Sequence, residues 1–160
     1  MSAEILKTYL NDHLAGSLAA LELLDHLIKV DEKSDRESFY RRLRAEIEED
    51  QKVLQTLLEQ AGGRENPVRK AAAWLSEKVG QAKLAFDDPG GNQLRILEAL
   101  ETLALGVQGK LFLWRALAAV TDSVPAARTV DLARLQGRAK DQFERVDAER
   151  VRMARIALAT

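Results

Sequence analysis

Glu46-Ile47-Glu48-Glu49-Asp50-Gln51 sits midway along a stretch with strong helical periodicity. Phe39, Leu43, Ile47, Val53, Leu54, Leu57 and Ala61 recur on one side of that stretch at spacings of three, four and seven, which marks an amphipathic helix. At about 100° per residue, Asp50 falls near the centre of this apolar face. Glu46 flanks the core, Glu48 points to water and Glu49 lies at the boundary. A carboxylate inside a helical protein needs a partner, because an unpaired buried charge costs several kcal/mol. The rest of the chain therefore has to supply one.

Working outward, Ser34 to Glu37 spells a capping box ahead of this helix, and Gly62-Gly63 closes it. Before it, a helix from about residue 3 to 30 carries Leu6, Leu10, Leu14, Leu21, Leu24 and Ile28 on one face. After it, Asn66-Pro67 opens a shorter helix to about residue 86, followed by the loop Asp87-Asp88-Pro89-Gly90-Gly91. A fourth helix covers about 92–120, with Ile96, Leu100, Leu103, Val107, Leu111, Trp114 and Ala118 in line. Pro125 and Thr129 mark the entry to a fifth, which runs to about residue 158 with Leu132, Leu135, Ala139, Phe143, Val146, Met153 and Ala157 in line.

The expected fold is thus all-α, one domain over residues 1–160. Four helices of about 28 residues, some 40 Å each, form two antiparallel hairpins. A shorter crossover helix between the hairpins would give up-down-down-up order. Leu94, Leu105 and Phe112 lie almost opposite the main face of helix 92–120. Either the crossover helix or a homodimer interface would cover them.

Composition narrows the function classes. The chain has 160 residues, 46% apolar and 31% charged, with a formal net charge of -1 and no cysteine. That suits a helical core. It gives no overall field for nucleic acid and no thiol chemistry. The N-terminus lacks a signal-peptide pattern, and the apolar run from Leu111 to Val120 is broken by Arg115 and too short to span a bilayer. A cytoplasmic protein is the expectation.

Four long helices in paired hairpins joined by a long crossover resemble the ferritin-like superfamily, closest to uncharacterised bacterial members. The di-iron proteins of that superfamily place a Glu on each of two helices and Glu-x-x-His on the other two. Here Glu46-x-x-Glu49 has Glu where His belongs. The fourth helix offers Leu103 and Val107 at the matching level, and the fifth offers Ala139 and Gln142 and no His. The resemblance therefore implies a shape and no activity.

Folded this way, His13, Asp50, Lys110 and Gln142 come to similar heights, with Glu46 beside them. His13 is the expected partner of Asp50, with Lys110 nearby, in a structural network that pins helix register. A metal site for Fe, Mn or Zn using His13, Glu46 and Asp50, with Glu49 as a fourth ligand, is the sharper alternative. Acid-base work by His13 oriented by Asp50 is weaker, since no nucleophile accompanies the pair. His26 and Glu22 read as a surface pair, and Glu149 and Arg150 as further inward polar residues. Arg134, Arg138, Arg145, Arg152 and Arg155 form a stripe expected on a solvated outer face. Trp74 and Trp114 read as packing residues, and Gly106 and Gly109 as places of close helix approach or a ligand cavity. The function expected is a non-enzymatic bundle acting through protein contacts, with a homodimer as the candidate assembly; the alternative is a degenerate metalloprotein.

Overall fold

The computed structural model describes residues 2–64 and 92–159. The expected crossover helix, with Trp74, lies outside the described residues. Among these, every regular element is helical: α1 (Ser2–Val30), α2 (Glu37–Gln60), α3 (Asn92–Ala119), a 3₁₀ turn (Pro125–Thr129) and α4 (Leu132–Leu158). No described helix is long and apolar enough to cross a membrane.

α1 packs along α2, α3 along α4, and α1 also along α3. The buried residues form two groups along the bundle. At one end Leu21, Leu24 and Leu27 of α1 meet Tyr40, Leu43 and Ile47 of α2, Ile96 to Ala104 of α3, and Val146 and Met153 of α4. At the other end Leu10 and Leu14 meet Leu54, Leu57 and Leu58, then Leu111 to Leu117, then Leu132 to Ala139. Two polar contacts bracket the α2–α4 pair: Thr129 Oγ1 donates to Gln60 Oε1 at 3.0 Å, while Arg152 reaches Asp35 at the opposite end.

The helix ends show how local chemistry sets these lengths. At the end of α2, Gly62 takes φ +75°, a left-handed conformation that favours glycine. Its N–H donates to Glu59 O and that of Gly63 to Leu58 O, which satisfies the last carbonyls. α4 is capped by Asp131, whose side chain accepts from Arg134 N at 3.0 Å. The cap thus lies six residues beyond Pro125, and the intervening chain forms the 3₁₀ turn.

The predicted capping box is shifted. α2 begins at Glu37. Ser34 Oγ accepts from Arg36 N at 3.2 Å, and Glu37 Oε2 reaches back to Lys33 N at 2.9 Å. Within this turn Asp31 pairs with Arg36 through two hydrogen bonds, from Nε at 2.7 Å and Nη2 at 2.9 Å. Tyr40, fully buried, hydrogen-bonds the same carboxylate at 2.9 Å, so Tyr40 rather than Phe39 is the deeper anchor of this face.

Candidate polar cluster and cavity

Asp50 is 3% exposed, where the periodicity placed it. Its partner is Lys110, not His13. Lys110 Nζ, on α3, lies 2.5 Å from Asp50 Oδ2 and also donates to Gln142 Oε1 on α4. The Gln142 amide then donates to Glu46 Oε2 at 3.2 Å and to Asp50 Oδ2 at 3.3 Å. Three helices are therefore tied at one level by a lysine, a glutamine and two carboxylates.

α4 contributes more than its wheel position suggested. Arg138 donates through Nη2 to Glu49 Oε2 at 2.8 Å and to the Glu46 carbonyl at 3.0 Å. Its Nε sits 3.5 Å from Asp50 Oδ1, an ion-pair distance without a hydrogen bond. Arg145 Nη2 reaches Glu46 Oε2 at 2.6 Å and Asp141 Oδ2 at 2.8 Å. These two arginines were expected on an outer face. Their long stems instead carry the guanidinium groups sideways onto α2, a displacement that a helical wheel of Cα positions does not capture. Arg134 and Arg155 stay exposed. Arg150 pairs with Asp147 at 2.8 Å and Glu149 with Arg152, so neither is a core residue.

Charge states follow from these contacts. Burial pushes the Lys110 ammonium below its usual range, and the Asp50 carboxylate only partly offsets that. Burial would raise the Glu46 carboxyl, but hydrogen bonds from Arg145 and Gln142 outweigh it and hold it low.

His13 stands apart. Its ring packs edge-on against Tyr9 with centroids 4.7 Å apart. Burial lowers its pKa from 6.5, opposed by Asp12. In the unfolded chain His13 binds a proton more readily than in the fold, so its contribution to stability is whole above pH 6.5 and is lost as pH falls through the lowered folded value. His13→Phe should flatten the loss of urea stability between neutral and mildly acidic pH. An unchanged slope would rule out His13 as its source. His26, expected to face outward, is half-buried.

His13, Asp50 and Lys110 do share a cavity. About 80 Å³ in volume, it lies between α1, α2 and α3. Its wall includes His13, Gly16, Ser17, Asp50, Gln51, Gly106, Val107, Lys110 and Trp114. Gln51 Nε2 donates to Ser17 Oγ at 3.0 Å, and Ser17 donates to Leu14 O at 2.7 Å. Gly106 is exposed at the rim, and a Cβ built on it would meet nothing within 4 Å. The same holds at Gly109. Close helix approach therefore does not explain either glycine.

The proposed Fe, Mn or Zn ligands do not fit a metal. Among the described residues no group of three or more His, Asp or Glu is placed to hold one. Asp50, Glu46 and Glu49 are each taken by a lysine or arginine, and an ammonium occupies the point where a cation would bind.

The Lys110–Asp50 pair was within reach of the sequence, since both lie on inward faces at one height. The Asp31–Arg36–Tyr40 group was not, because Asp31 lies just past the periodic part of α1. The chain matches no family model, no curated protein and no solved structure.

Proposed function

We propose that the protein is a non-enzymatic, cytoplasmic, ferritin-like bundle that acts through protein contacts and pairs with a second copy of itself. The observation that carries this is the outer face of α3. Leu94, Leu105 and Phe112 are 46%, 76% and 54% exposed, spaced eleven and seven residues apart on one side of a single helix. Aligned along one side, they form an apolar stripe that a second copy of the chain would cover. Meanwhile the interior polar residues neutralise one another and leave no paired nucleophile and base.

The up-down-down-up order is part of the same proposal. It is supported by the two core groups, in which the late part of α1 joins the early parts of α2 and α3 and the late part of α4. The connection from α2 to α3 is then the crossover suggested by the pattern of residues 67–86.

Phe112→Lys with Leu105→Lys tests the interface. Light scattering should show a dimer for the native chain at high concentration and a monomer for the double variant, with helicity unchanged. A native chain that stays monomeric throughout would sink the homodimer.

A further inference from the structure

We propose that the cavity between α1, α2 and α3 is a binding site for a small uncharged molecule with an apolar body and one hydroxyl group. Four observations converge on it. The first is the pair of glycines at its rim. Gly16 on α1 and Gly106 on α3 both lie inside helices, both are exposed, and both line the cavity. Glycine inside a helix weakens it by roughly 1 kcal/mol against alanine. The usual compensation is tight packing of backbones, yet a Cβ at either position would meet nothing within 4 Å. What the two missing side chains leave is an opening from solvent into the bundle.

The second is the wall. Ala20, Ile47, Leu54, Val107, Leu113 and Trp114 supply its apolar part. Against that part of the wall water finds no polar partners, although each buried water wants two to four. A ligand with an apolar body displaces it readily.

The third is charge. Lys110 and Asp50 neutralise each other at 2.5 Å, and burial keeps His13 in its neutral form. No spare charge of either sign is left in the wall. An anion or a cation would lose its hydration for nothing in return, whereas a neutral molecule enters without that cost.

The fourth is unused hydrogen-bonding capacity. Lys110 uses two of its three protons, on Asp50 and Gln142. His13, half-buried in the wall, keeps ring nitrogens without a hydrogen bond. Trp114, 1% exposed, has an indole N–H with no acceptor. A single hydroxyl, which both donates and accepts, suits this setting. At about 80 Å³ the cavity exceeds several times the roughly 10–15 Å³ that one water needs, so a molecule of roughly six or seven heavy atoms is the right scale.

Phenol is a suitable probe, with benzoate and benzylamine as charged counterparts of the same ring. Trp114 reports on the cavity wall once Trp74→Phe removes the chain's other tryptophan. Phenol should give a saturable change in Trp114 fluorescence, matched by ligand-detected NMR. Gly106→Leu, which places a side chain in the opening, should weaken it roughly tenfold or more, in the range that one lost set of apolar contacts produces. Gly16→Leu should do the same from the facing helix. Both substitutions remove a helix glycine at a position where a Cβ meets nothing within 4 Å, so thermal stability should hold. Benzoate and benzylamine should give no saturable response. Absence of saturable phenol binding, or binding that neither leucine variant weakens, would overturn the site. Tighter binding of benzoate or benzylamine than of phenol would overturn its neutrality.

Discussion

Asp50→Ala is expected to lower the free energy of unfolding in urea by about 3–5 kcal/mol, the range for removing one partner of a buried ion pair. The substitution strands Lys110, whose ammonium then keeps only the Gln142 oxygen. Arg138 also loses the carboxylate beside its Nε. Most of the loss is the cost of an uncompensated charge rather than the value of the contact. Adding Lys110→Met to Asp50→Ala removes that charge and should recover much of the stability, because apolar replacement of a buried pair is often neutral or favourable. A double-mutant cycle separates the two contributions. The pH dependence carries a matching sign. Burial lowers the Lys110 pKa, so the unfolded chain binds more protons than the fold as pH approaches 10.5, and stability gains from this group as pH rises. Asp50→Ala removes the carboxylate that supports the charged lysine and should deepen that gain. A cost below about 1 kcal/mol for Asp50→Ala would mean the pair is hydrated rather than buried.

The second large effect is expected at the α1–α2 turn. Asp31 accepts from Arg36 Nε at 2.7 Å, Arg36 Nη2 at 2.9 Å and Tyr40 Oη at 2.9 Å. The hydrogen bond to Asp31 holds the Arg36 guanidinium firmly charged, and burial, then Asp31, pushes the Tyr40 hydroxyl upward. Asp31→Ala leaves a partly buried guanidinium and a buried phenol without this acceptor. It should cost about 3 kcal/mol in urea or thermal unfolding. Tyr40→Phe keeps the forked Arg36–Asp31 pair and removes one neutral donor, so about 1 kcal/mol is expected. The order matters more than the sizes. If Tyr40→Phe were as damaging as Asp31→Ala, the aromatic packing rather than the carboxylate would be holding the turn.

Much of the architecture was legible in the order of residues. Apolar periodicity places all four described helices, and Gly62 stops α2 through a backbone conformation that favours glycine. Asp50 declares itself buried from the wheel alone, because its neighbours Ile47 and Leu54 at three and four residues must face the core. Gln142 follows by the same rule from Ala139 and Val146. Where the wheel failed, the cause was reach. Arg138 and Arg145 project several ångströms from their Cα atoms, so their helix face does not decide where the charge goes. Asp31 failed for another reason: it sits in a turn, where periodicity carries no information.

By itself, then, the sequence determined that this chain forms long amphipathic helices and that one of them buries an acid at Asp50. Both are consequences of local spacing, because a helix fixes which residues share a face. The partner was a different kind of question. His13 and Lys110 are both inward, both cationic when protonated, and both at the right height. Only the packed helices decided between them. Lys110 has a stem long enough to bring its ammonium to Asp50 and Gln142 together, while the cavity stands beside His13 and its ring turns to Tyr9. A difference of a few ångströms between two side chains on separate helices is set by how those helices pack.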